Sequence, residues 1–192
     1  MLTYISDTAH YKDVLSHVPN VKHNLWIGTA DIKDFYVEVG KQKKPFLAVL
    51  ASLIRRGVEV RLVHAKEPGP NFREDFDKYP VLYDRLERVL CPHVHFKMLV
   101  FDCKEVYIGS ANLTGAGIGM KTDNKRNFEA GILTDDPEIV EQAFRPHNIN
   151  NNAYAFCRVV TEFEELKLFE LNRGAAKFRY GKATERCNFA SV

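Results

Sequence analysis

The sequence predicts an α/β fold, with a mixed, mostly parallel central sheet flanked by helices on both faces. Three observations point there. Residues 24–63 spell a strand, a helix and a second strand in immediate succession, the unit from which parallel sheets are built. Residues 97–109 form two apolar stretches joined by a short polar connection, which reads as a hairpin. A third stretch, 128–134, runs directly into a helix opened by Asp and Pro at 135–137.

Taken in order, 24–30 is a short apolar run ending in small residues, a first strand. KQKKPFLAVLASLIRRG, 41–57, reads as helix: Pro45 suits its first turn, Leu47, Leu50, Leu53 and Ile54 recur on one side, and Gly57 marks the stop. Residues 58–63 alternate and read as the strand that follows. Pro68-Gly-Pro70 breaks the pattern, and a polar, partly helical stretch is expected to about Leu90. Beyond 144 the periodicity weakens: 148–152 is an Asn-rich loop, and 161–164 resembles a capping box before a charged helix. One domain over 1–192 is expected, with 146–192 as a C-terminal extension of unassigned role.

Composition is that of a globular protein, 45% hydrophobic and 27% charged, with a net charge of +2 that neither requires nor excludes a nucleic-acid partner. The longest apolar run, FLAVLASLI, is too short to cross a bilayer. With no signal-like N-terminus, and with Cys91, Cys103, Cys157 and Cys187 lying apart, the expected setting is cytoplasmic, with reduced thiols.

CPHVHFKMLVFD, 91–102, poses the functional question, because a core-like strand carries two histidines, a lysine and an aspartate. If 93–102 is extended, His93, His95 and Lys97 share one face while Asp102 points to the other. A solvated strand end explains the polar face without any function. A metal site would use His93, His95 and Cys91, and an ammonium beside a dication opposes it. An anion site makes Lys97 an asset. Gly109-Ser-Ala-Asn-Leu-Thr-Gly115 follows, a turn able to present N–H groups, Ser110 and Asn112 to an anion.

His95-x-Lys97-x-x-x-x-Asp102 followed by Gly109-Ser110-x-Asn112 resembles the HKD signature of the phospholipase D superfamily, the motif spanning 95–112. The likeness covers about 22–145, includes Arg56-Gly-Val-Glu-Val-Arg61, and places Glu129 where such proteins carry an acidic residue. It implies His95 as nucleophile, Lys97, Ser110 and Asn112 as phosphate binders, and Glu129 accepting a hydrogen bond from the His95 ring. No metal or cofactor is implied. Asp102, on the wrong face for catalysis, is assigned a structural role beside Gly109.

One motif supplies one histidine, whereas the chemistry uses two, so a homodimer with its active site on the two-fold axis is expected. The resemblance is closest to the small metal-independent nucleases, making DNA or RNA the expected substrate. Lys121, Lys125 and Arg126, with Lys41, Lys43, Lys44, Arg55 and Arg56, would form a phosphate-tracking groove. The alternatives are a phospholipase or phosphatidyl transferase acting on phospholipid head groups, and a phosphate-binding module without turnover.

Overall fold

The computed structural model describes residues 1–144. The chain opens with strand β1 (Leu2–Ser6) and two tight helical turns, His10–Val14 and Leu15–Asn20. Strand β2 (Asn24–Thr29) follows, then a hairpin of β3 (Tyr36–Val39) and β4 (Gln42–Pro45), helix α1 (Phe46–Arg55) and strand β5 (Glu59–His64). Helices α2 (Pro70–Asp77) and α3 (Pro80–Arg85) lead to β6 (Glu87–Leu90). Strands β7 (Lys97–Phe101), β8 (Glu105–Gly109) and β9 (Ala130–Thr134) and helix α4 (Pro137–Phe144) complete the described chain.

Seven strands form one sheet in the order β1-β9-β8-β7-β2-β5-β6. Only β2–β5 and β5–β6 pair in parallel, while β1–β9, β9–β8, β8–β7 and β7–β2 are antiparallel. The sheet is therefore mixed, and the expectation of a mostly parallel one is corrected. The strand–helix–strand unit does pair in parallel, but the hairpin beside it reverses the chain, and the N-terminal strand closes the far edge antiparallel. Every residue of β2 and of β7 is buried, as expected of strands covered on both faces.

Side chains alternate between two cores. Leu25, Ile27, Leu62, Leu99, Tyr107 and Leu133 face the side covered by α1, which contributes Phe46, Leu47, Leu50 and Leu53. Trp26, Val63, Met98, Val100 and Val106 face the other side, which meets Val140 of α4. Removing a large α1 side chain, as in Leu50→Ala, costs about 2–5 kcal/mol.

Two local readings change. Residues 42–45 are strand, not helix, because Tyr36, Val37 and Val39 offer a pairing edge. The Val39↔Gln42 register leaves a two-residue loop, whose positive φ of 62° falls on Gly40. Residues 87–90, expected in a polar and partly helical stretch, pair with β5 as β6. Cys103 is disulfide-bonded whereas Cys91 is a free thiol, so the expectation of four reduced thiols fails at Cys103. The expected loop at 148–152, the helix after 161 and the C-terminal extension lie outside the described residues.

Candidate functional site

The HKD strand begins later than alternation alone suggests. β7 starts at Lys97, and 91–96 is a turn followed by irregular chain, closed by the Val94 N–H on the Cys91 carbonyl at 3.0 Å. His95 consequently projects from a loop at the end of the sheet, exposed, while Val94 is buried. Phe96 lies over Gly28 of β2, where any Cβ would overlap its ring. Packing of that ring is what sets the approach of His95 to the sheet.

Lys97 occupies the first rung. It pairs across β8 with Gly109, which pairs with Gly131 of β9, which pairs with Ile5 of β1. Its side chain is buried, 7% exposed, and Nζ donates to the His95 carbonyl at 2.6 Å. Burial lowers the lysine pKa, and the negative charge of Glu129 partly offsets this. Among the described residues no carboxylate stands within ion-pair distance of this ammonium.

The turn after β8 carries the two polar groups of the motif, Ser110 and Asn112. Ser110 Oγ donates to Glu129 Oε2 and accepts the Ala130 N–H at 3.1 Å, while its own N–H donates to the Ala130 carbonyl at 2.9 Å. Asn112 is held by its oxygen: Oδ1 accepts the Asp31 N–H at 3.1 Å and the Thr29 hydroxyl at 3.3 Å. Because a backbone N–H can only donate, this fixes the amide orientation and leaves the NH2 as its free end. Thr29, fully buried at the end of β2, also accepts the Leu113 N–H at 3.2 Å, so one hydroxyl ties the turn to the sheet.

Glu129 lies one residue before β9. Its carboxylate takes Ser110 on one oxygen and Asn127 Nδ2 at 3.0 Å on the other. The expected bond to the His95 ring is not formed, since both oxygens are turned toward these neighbours. Asp102 lies at the opposite end of β7, with φ 54°, and its carboxylate accepts the N–H groups of Lys22, His23 and Asn24 at 2.7–3.1 Å. It caps the entry to β2, a strand's length from the histidine.

The basic residues divide. Lys121 and Lys125 are exposed on the loop before Glu129, while Arg126 pairs with Asp123 at 3.3 Å. That loop closes on the turn through the Asn127 N–H to the Ala116 carbonyl at 3.2 Å. Arg56 binds the Pro19 and Val21 carbonyls at 3.0 and 3.2 Å, near the start of β2 and away from the site, so it is a structural tie. Lys43 and Lys44 sit on the β3–β4 hairpin and Lys41 in its loop, not on a helix. Among the described residues no three His, Cys, Asp or Glu side chains cluster as a metal site.

Thr29 and Asn127 escape sequence reading. Thr29 appears only as a small residue closing an apolar run; its hydroxyl bonds the nearby Asp31 carbonyl at 2.9 Å, and its partners on the turn, Asn112 and Leu113, lie more than 80 positions away.

Comparison with known proteins bears on this arrangement. Residues 19–145 match the family model described as "Cardiolipin synthase, PLD-like domain". No curated protein matches the sequence. Among solved structures, Nuc from Salmonella typhimurium, titled a phospholipase D family member, superposes with a TM-score of 0.52 at 18% identity, over 73% of this chain and 87% of that one. NucT from Helicobacter pylori gives 0.51 at 16% identity, over 73% and 89%. Polyphosphate kinase from Porphyromonas gingivalis gives 0.55 at 11% identity, over 91% of this chain and 32% of the kinase. These structures share the fold. The family match runs over well more than half of the sequence and encloses His95, Lys97, Ser110, Asn112 and Glu129, and the chain belongs to the PLD-like domain family.

Proposed function

We propose that this protein is a metal-independent phosphodiesterase, an endonuclease that cleaves DNA or RNA through a phosphohistidine at a site completed by a second copy of the chain. The observation that carries the reading is Lys97, a buried ammonium whose partner is one backbone carbonyl and which has no carboxylate within ion-pair distance among the described residues. A cation taken from water without a counter-ion is costly, and an arriving phosphate supplies the missing charge. The Asn112 amide NH2 stands on the adjoining turn as a further donor, and the Ser110 hydroxyl, which donates to Glu129, ties that turn to the acidic residue.

The chemistry follows from these positions. A ring nitrogen of His95 attacks phosphorus, and the bond from phosphorus to the leaving oxygen breaks. Lys97 and Asn112 hold the non-bridging oxygens as charge builds on them. The His95 of a second copy protonates the leaving oxygen, then takes a proton from the water that attacks the phosphohistidine and frees it. Exposure of His95 at the sheet end suits both an incoming ester and a facing protomer. Lys121 and Lys125 are exposed on the loop that leads to Glu129, which suits a polyanion.

A lipid substrate is the second reading, favoured by the "Cardiolipin synthase" wording of the matching family model. Among the described residues no helix is long and apolar enough to cross a membrane. The discriminating assay incubates wild type and His95→Ala with single- and double-stranded DNA, RNA and phosphatidylglycerol vesicles in EDTA. Nucleic-acid cleavage in wild type alone is the expected result. Lipid turnover alone establishes the second reading, and binding without turnover removes both.

A further inference from the structure

Beneath the Ser110–Asn112 turn lies a buried pair of side chains that the mechanism above leaves unused. Tyr107 precedes Gly109 by two residues on β8, so it projects to the Lys97 face. Its side chain crosses both glycines of the first rung: a Cβ on Gly109 would overlap the phenol oxygen, and one on Gly131 would stand 2.6 Å from the ring. The tyrosine is 3% exposed, and its hydroxyl has no well-formed hydrogen bond. Burial pushes the phenol pKa far up, the Glu129 charge adds to that, and the Ala111 N–H beside the oxygen opposes it. The group is therefore O–H, a donor that lacks an acceptor.

Against the edge of this ring stands His10, with centroids 5.5 Å apart and planes at 88°. His10 is 2% exposed, and its Nδ1 bonds the Asp7 carbonyl at 2.9 Å. Since a carbonyl only accepts, Nδ1 carries the proton, and Nε2 is left as a buried acceptor without a donor. Two adjacent buried groups thus have complementary deficits, each costing about 1–3 kcal/mol if unmet. The segment bearing His10 is tied to the site independently. The Asp7 N–H donates to the Glu129 carbonyl at 3.2 Å, and Gly119, in the loop after the turn, packs so closely that a Cβ would stand 2.7 Å from the Asp7 oxygen.

We infer that Tyr107 and His10 form a buried strut, Tyr107 O–H donating to His10 Nε2 through one enclosed water, which holds the Ser110–Asn112 turn and Glu129 in phosphate-receiving geometry. The order of donors is consistent along its length: phenol O–H toward Nε2 through the water, and Nδ1–H to the Asp7 carbonyl at 2.9 Å. Both are positioning residues, acting through the turn and not on the ester. The strut stands on the geometry alone. Its use rests on the phosphodiesterase reading.

The test uses the full chain. In protein labelled with 15N-histidine, Tyr107→Phe should move the His10 Nε2 resonance downfield, because an accepted hydrogen bond is lost. In the assay above, Tyr107→Phe and His10→Leu should each raise KM about tenfold with kcat within threefold of wild type. His10→Gln, whose amide can accept from Tyr107 and donate to Asp7, should restore KM to within threefold. An unmoved Nε2 resonance overturns the strut. So does a wild-type KM in both Tyr107→Phe and His10→Leu. If no substrate is turned over, the resonance alone decides: a shift upholds the strut while the enzymatic reading falls.

Discussion

Lys97 is where stability and function pull apart. Its burial is unfavourable to the ammonium, and the direction of its pKa records this. A lysine pKa lowered by folding means that the folded state carries a penalty at neutral pH, relieved only as pH rises through the folded-state pKa. Lys97→Met keeps the volume and removes the charge. It should leave thermal stability unchanged or raise it by about 0.5–1 kcal/mol, a small gain because water reaches the site mouth, while phosphodiester cleavage falls at least a hundredfold. Differential scanning fluorimetry beside the cleavage assay checks both halves; a Met variant that is active, or clearly less stable, contradicts the account of this residue. Thr29 behaves oppositely. Thr29→Val strands the Leu113 N–H and removes one of the two bonds that hold Asn112 Oδ1, so a loss of about 1–3 kcal/mol and a raised KM are expected, with Thr29→Ser restoring both. Sequence reading reached Lys97 because its chemistry is announced by His95, two positions away. It could not reach Thr29, Tyr107 or His10, whose roles exist only through contacts that folding makes between distant segments.

At the level of elements, the motif divides between two ends of β7. Asp102 gathers three N–H groups at the entry to β2, far from His95. Asp102→Ala should therefore cost about 2–4 kcal/mol in urea unfolding, while kcat of the folded protein stays within twofold; a large kcat loss in fully folded protein would return this residue to the chemistry. The end of β5 carries a pH-dependent element. His64 is fully buried, its Nδ1 bonded to the Lys66 carbonyl at 2.8 Å and its Nε2 accepting from Arg88 Nε at 2.8 Å. Burial, with the neighbouring Arg88 charge, holds its pKa at about 4, below the ordinary 6.5. The unfolded chain takes up a proton near 6.5 and the folded chain only near 4, so stability complete above pH 6.5 is lost as pH falls toward 4, by about 3 kcal/mol at most. Urea midpoints at pH 7 and 4.5 should show this loss in wild type and a smaller one in His64→Asn; equal losses would remove His64 as the cause. Element type was legible where local pattern decides it, as in α1 and the β7–β8 hairpin. It was not legible at β4 or β6, whose strand character comes from a partner and not from their own sequences.

For the whole molecule, strand direction was the feature least readable from sequence. The strand–helix–strand unit implied parallel pairing, and its strands do pair that way, but the antiparallel majority comes from the hairpin and from β1, whose partner β9 lies about 130 residues further along. The residues of the candidate site, by contrast, were legible as a cluster, because most fall within a short span that the hairpin brings to one end of the sheet, although Glu129 bonds Ser110 and Asn127 and not the His95 ring. What the proposed chemistry needs beyond a single chain is a second histidine. We expect a dimer in sedimentation velocity that persists at the concentrations used for assay; a fully active monomer would contradict a site shared between protomers. The central claim, attack by His95 on phosphorus, is tested most directly by trapping the intermediate. Wild type is mixed with a short oligonucleotide in EDTA, quenched at alkaline pH and analysed by intact mass and peptide mapping. The account predicts a nucleotide-bearing adduct on the peptide containing His95, absent from His95→Ala. Oligonucleotide turnover with no adduct at residue 95 would contradict it.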